Sequence, residues 1–175
     1  AYATVQYESV QIREVRQAKS SWCWAACAEM AGTAAYSSTT RNQYDVVKYV
    51  KGTNDDPYPN SGGSIVESAK GSQYVTHNRV KFDSVYSKWN FSQIANSIAR
   101  GYPVQTAIGA YSGNQRYGHM VITHRTQFID NSSGTSYYIG YYDPWDGVFH
   151  NCTFSSFCDG SYNGRKYDQT VYAVW

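Results

Sequence analysis

Hydrophobic periodicity changes once along the chain, near Gly101, from spacings of three and four to the β-branched and aromatic runs typical of strands. A chain divided in this way folds as helices followed by an antiparallel sheet, that is, as an α+β domain. In the first part, Trp22, Ala25, Ala26, Met30 and Ala34 recur at helical spacing behind Ser20 and Ser21, and a helix capped by these serines is expected from about Trp22 to Ala35. Thr39 and Thr40 ahead of Val46, Val47 and Val50 predict a second helix, Ser64 to Lys70 a short third, and Ser92 ahead of Ile94 and Ile98 a fourth that stops at Gly101. Between them, Gly52 to Gly63 is rich in Asn, Asp, Pro and Gly and reads as an ordered surface loop. Beyond Gly101, the segments Pro103 to Ala110, His119 to Phe128, Ser136 to Tyr142, Gly147 to Phe154 and Gln169 to Trp175 predict four or five antiparallel strands separated by turn signals. One domain over residues 1–175 is expected, with a helical lobe over about 1–100, a sheet lobe over about 101–175, and a cleft where they meet.

Charge and composition narrow the partners. Fifteen Lys and Arg against 13 Asp and Glu leave a net charge of +2, with no electrostatic footprint for nucleic acid. No apolar run approaches the roughly 20 residues that cross a bilayer as a helix. A monomer is the expectation. Leu is absent while Tyr occurs 18 times and Trp 5 times, so the core must be Val, Ile, Ala and aromatic, with many Tyr rings half exposed on sheet faces and cleft walls. The chain opens on Ala1 without a charged and then apolar segment, which reads as a removed leader or a trimmed start.

The sharpest local signal runs from Gln17 to Cys27, QAKSSWCWAAC. It places the Cys23 thiol in the first turn of a helix, where unpaired N–H groups and the macrodipole favour the thiolate. A nucleophilic thiol needs a base, and His119, after Gly118 and at the start of an apolar strand, is the leading candidate. Asp143, at the end of the next strand and ahead of Pro144-Trp145-Asp146-Gly147, can lie beside His119 in an antiparallel pair and orient its ring. Cys23, His119 and Asp143 form a candidate triad that requires no cofactor and no metal.

These segments resemble papain-like cysteine peptidases, in which a Gln precedes the nucleophile by six residues, Trp follows it, His opens a strand, and the orienting Asn or Asp is followed two residues later by Trp. Gln17, Cys23, Trp24, His119, Asp143 and Trp145 fill those places. The chain is most similar to the compact branch formed by plant-pathogen effector proteases, through Gln17, Cys23, Trp24, Ala26, Cys27, Ala28, Met30 and Gly32. The resemblance implies a papain-like fold with the nucleophile on the helical lobe. It also implies peptide-bond hydrolysis by Cys23, His119 and Asp143, oxyanion donation by Gln17 and the Cys23 backbone N–H, and shielding of the His119–Asp143 bond by Trp145. Ser20 stands where the papain signature carries an extra Cys, and His119 follows Cys23 by 96 residues where papain-type enzymes have roughly 130. Two alternatives stay open: acyl transfer on glutamine, as in transglutaminases and deamidases, with the same triad, and a non-enzymatic module with an aromatic groove.

The other candidates have ordinary readings. Cys27, one turn after Cys23, reads as a packing thiol, and His77, His124 and His150 as structural or exposed. His124 is an odd number of residues from His119, which in a regular strand turns it to the other face. Cys152 and Cys158 are spaced for a small hairpin disulfide in an oxidising compartment, or are two reduced core thiols. A disulfide implies a secreted or extracellular protein, and the effector likeness implies delivery into a host cell as the alternative. A zinc site built from the four cysteines has poor spacing.

Overall fold

A computed structural model describes residues 4–52 and 54–175. The fold is α+β, with five helices and a seven-stranded sheet among the described residues, and the sheet's pairings are all antiparallel. In chain order the elements are β1 (Thr4–Ser9), α1 (Cys23–Ala35), α2 (Gln43–Lys51), α3 (Ile65–Val75), β2 (Phe82–Val85), α4 (Phe91–Ala99), β3 (Val104–Ser112), β4 (Gln115–Asn131), β5 (Gly134–Asp143), β6 (Val148–Thr153), α5 (Phe154–Asp159) and β7 (Lys166–Ala173). Strand order is β2-β7-β3-β4-β5-β6. The long β4 pairs along one edge with β3 over its first half and with β1 over its second, and along the other edge with β5.

Alternation along β4 divides the core. Met120 and Ile122 pack with Ala26, Cys27 and Met30 of α1, whereas Val121 packs with Ile94 and Ile98 of α4 and with Phe157 of α5. Helices therefore cover both faces of the sheet. A third cluster, Trp22, Trp24, Val46, Val47 and Val75, joins α1 to α2 and α3. The α1 and α3 backbones approach closely because Gly32 faces Val75, and a Cβ at Gly32 would lie 2.4 Å from Val75 Cγ1.

The expected helices are present with shifted boundaries, because side-chain caps decide where they begin. Asn42 and Asp45 form a capping box for α2, Ser64 and Glu67 for α3, and Asn90 and Gln93 for α4, so α2 starts after Asn42 and α4 begins before Ser92. Helix α3 runs on to Val75, past the expected end at Lys70. Strands β1 and β2 belong to the first part of the chain, so the sheet has seven strands, and the helical part is not purely helical. His119 does not open its strand: Gly113, at φ +60°, allows a tight turn that starts β4 at Gln115, four residues earlier. The segment after β6 turns into α5, which puts Cys158 on a helix and not across a hairpin from Cys152. Both are free thiols, and burial raises the pKa of Cys152 to about 11.

Candidate active site

Helix α1 begins at Cys23, and its N-cap, Trp22, offers no side-chain cap. Ser20 and Ser21, the expected caps, are held instead by Asn60: the Ser21 N–H donates to Asn60 Oδ1 at 2.9 Å, and Asn60 Nδ2 donates to Ser20 Oγ at 3.0 Å. The first-turn N–H groups around Cys23 are thus left without a side-chain acceptor, the setting that stabilises an anion. The two indoles flanking Cys23 fasten the neighbouring loop. Trp22 Nε1 donates to the Pro59 carbonyl at 2.9 Å and Trp24 Nε1 to the Ser61 carbonyl at 3.0 Å. Gly62 and Gly63 consequently line the same groove as Cys23, and a Cβ on Gly63 would lie 2.3 Å from the Trp24 ring.

Facing them, His119 on β4 lies opposite Ile108 of β3, and Asp143 is the last residue of β5. Asp143 Oδ1 accepts from His119 Nε2 at 2.7 Å and from the Trp145 backbone N–H at 2.9 Å. The second bond makes Asp143-Pro144-Trp145 an Asx turn, which orients the carboxylate before any substrate arrives. This turn is fastened to the segment entering α1: the Gln17 N–H donates to the Pro144 carbonyl at 2.9 Å and Arg16 Nη2 to the Trp145 carbonyl at 2.7 Å. One turn past Cys23, the Cys27 thiol donates to the carbonyl of Met120, the residue after His119, at 3.5 Å. Helix and strand are therefore aligned at neighbouring positions on both sides of the groove.

Cys23, His119 and Asp143 line one groove of about 690 Å³. Burial disfavours the His119 imidazolium, but the hydrogen bond to Asp143 and the closeness of Cys23 and Asp143 outweigh it and raise its pKa to about 9. Burial likewise opposes the Asp143 carboxylate, and the His119 and Trp145 hydrogen bonds hold its pKa below the ordinary value. With Nε2 bonded to Asp143, Nδ1 is the ring nitrogen left for a second partner. Cys27 is fully buried, and burial pushes its thiol well above the usual range, with the Cys23 and Asp143 charges adding to the effect. It is a protonated packing residue.

Gln17 and Trp145 sit differently from their expected roles. Gln17 Nε2 donates to the carbonyls of Lys19 at 3.1 Å and Ser20 at 2.9 Å, its Oε1 is buried without a partner, and the residue is not part of the groove lining. The Trp145 ring lines the groove but is 58% exposed, and what ties Trp145 to Asp143 is its backbone. His124 lies at a bulge between Thr123 and Arg125, its Nδ1 bonded to the Val10 carbonyl, and His77 is exposed at φ +55°.

Among the described residues, one group of ligand-type side chains converges, Asp143, Asp146 and His150, with donor atoms within 4.8 Å of one another. Its atoms are already engaged: Asp143 with His119, and His150 with Asp146 at 2.7 Å and Tyr162 at 3.0 Å. Sequence reasoning missed Gly62, Gly63, Arg116 and Arg165, which reach the groove from distant segments without a motif of their own. Comparison with protein-family models and with curated proteins finds no match to this chain.

Proposed function

We propose that the protein is a cysteine peptidase of papain-like type, with α1 to α3 as one lobe, the sheet as the other, and the groove between them as the substrate cleft. The observation that carries this reading is the meeting of Cys23, at an uncapped helix N-terminus, with a His119–Asp143 pair bonded at 2.7 Å. Cys23 Sγ, its proton passed to His119 Nδ1, attacks the substrate carbonyl carbon and forms a tetrahedral intermediate. His119 then protonates the leaving amine, the C–N bond breaks, and a thioester remains on Cys23. Water, deprotonated by His119, attacks the thioester and releases the acid, and Cys23 leaves as thiolate. Asp143 keeps Nε2 occupied and stabilises the imidazolium throughout. The backbone N–H of Cys23 donates to the oxyanion, and Gln17 joins it only by leaving the Lys19 or Ser20 carbonyl and turning into the groove, whose lining it does not form in the resting structure. Trp145 contributes through its backbone N–H, which holds the Asp143 carboxylate in place.

The test is digestion of a denatured protein and of a peptide library, with and without prior alkylation by iodoacetamide. Wild-type protein should yield fragments, alkylation of Cys23 should abolish them, and Cys23→Ala should yield none while keeping its circular dichroism spectrum. Undiminished cleavage by Cys23→Ala would overturn the reading. Ammonia release from glutamine with an uncut chain would assign the triad to acyl transfer on side-chain amides instead.

A further inference from the structure

The charge lining the groove is one-sided. Apart from Cys23, His119 and Asp143, its ionisable side chains are Tyr86, Arg116 and Arg165, and the single carboxylate facing it, Asp143, is committed to His119 and Trp145. Arg116 is neutralised. Its Nε and Nη2 grip Asp168 at 2.9 and 2.6 Å, the Tyr111 hydroxyl donates to the same carboxylate, and the guanidinium is bedded on two glycines. A Cβ at Gly109 would come within 2.6 Å of Arg116 Nε, and one at Gly118 within 2.3 Å of Nη1.

Arg165, immediately before β7, has no such counterpart. Among the described residues no carboxylate lies within ion-pair distance of it, and its Nε is buried without an acceptor. A buried donor left unpaired is costly, and a guanidinium is best matched by the two oxygens of a carboxylate. Asp168 cannot serve, because it is already shared by Arg116 and Tyr111. Arg165 lines the groove, and among the described residues its side chain makes no hydrogen bond or ion pair, so a molecule in the groove can supply the carboxylate that its guanidinium lacks.

We propose that Arg165 is a specificity-determining residue that binds the carboxylate of an Asp or Glu side chain close to the scissile bond, so that the substrates are acidic peptide segments. This rests on the peptidase reading and deepens it by naming the substrate class.

The experiment is a positional peptide library in which each position flanking the scissile bond is fixed in turn as Glu, Gln or Lys, digested by wild-type protein, R165Q, R165K and R165E. At one position the wild-type protein should prefer Glu over Gln by about 10- to 100-fold in kcat/KM, the value of a charge-assisted hydrogen bond. The ratio should fall to near one in R165Q, survive in part in R165K, and give way to a preference for Lys in R165E. A Glu to Gln ratio near one in the wild type, or a preference unchanged in R165Q, overturns the assignment. A library left uncut by wild-type protein overturns the peptidase reading and this inference together, whereas cleavage without acidic preference overturns this inference alone.

Discussion

Gln17 precedes Cys23 by six residues, and its amide N–H groups already serve the Lys19 and Ser20 carbonyls. A donor so engaged contributes to catalysis only when a stronger acceptor, the oxyanion, displaces one of those carbonyls. Gln17→Ala should accordingly lower kcat by about 10²- to 10³-fold with KM little changed, as for loss of an oxyanion donor. Alkylation of Cys23 should continue near the wild-type rate, because His119 and the helix start are untouched. Equal slowing of both reactions would reduce Gln17 to a clasp on the loop. The proton on His119 is the other quantity set at single residues. With its pKa raised to about 9 by Asp143 and Cys23, kcat/KM should be bell-shaped in pH, with an alkaline limb near 9 as His119 loses its proton. The two limbs belong to the Cys23–His119 pair as a unit. Asp143→Asn removes the negative charge that helps hold this proton, so the alkaline limb should move to lower pH. A limb unmoved in pH–rate profiles at constant ionic strength would detach Asp143 from the proton.

Between elements, the join of α3 to the sheet beneath the groove is polar and fully enclosed. Gln105 of β3 accepts from Ser68 Oγ at 2.6 Å and donates to Ser72 Oγ at 2.8 Å, and all three residues are inaccessible to solvent. Gln105→Ala removes one hydrogen bond from each hydroxyl, leaving Ser68 with the Trp24 carbonyl and Ser72 with the Ser68 carbonyl, and opens a cavity, so denaturant unfolding should show a loss of about 2–4 kcal/mol. A loss under 1 kcal/mol would show that the helix is held by its apolar contacts alone. This join also marks a limit of the sequence: Gln105 lies in an apolar run, and nothing nearby announces Ser68 and Ser72 as its partners. Helices α1 to α4 and strands β3 to β7 were legible because their periodicity is local, with ends displaced wherever a capping pair such as Asn42 and Asp45 decided the start. Strand β1 was not, because it is exposed along most of its length and owes its conformation to pairing with β4 more than a hundred residues on. The four residues of β2 and six of α5 are too short to display a period. At the groove, Cys23, His119 and Asp143 were legible because each sits in a distinctive local run. The actual contacts of Gln17 and the Trp145 backbone, like the arrival of Arg165, depend on loop geometry that no pattern of residue types encodes.

At the scale of the whole molecule, the groove is where α1 meets β4 and the end of β5, and Cys23 faces the His119–Asp143 pair only when both are in place. His119 comes from β4, Asp143 from β5 and Cys23 from α1, while the Gln17–Pro144 and Arg16–Trp145 hydrogen bonds hold the two parts in register. The site is therefore linked to global stability through protons. The folded protein raises the His119 pKa from 6.5 to about 9, so between those values the native state binds more protons than the unfolded chain, and stability must fall as pH rises. The His119 contribution is complete below pH 6.5 and is lost as pH rises through about 9. Asp143 acts in the opposite sense: its pKa is lowered from 3.8, so its contribution is present above that value and is lost as pH falls through the folded value. The His119 side chain is only 12% exposed, and its shift corresponds to at most about 3 kcal/mol. The stability difference between wild type and His119→Gln, measured by denaturant unfolding, should accordingly be larger at pH 6 than at pH 10 by up to that amount. Titrating groups remote from His119 cancel in the difference, and Cys23→Ala as the common background removes the coupled thiol. A difference that does not vary with pH would mean that His119 gains no proton affinity on folding, and the helix, the strand and the turn would then meet at this groove without forming an ion pair.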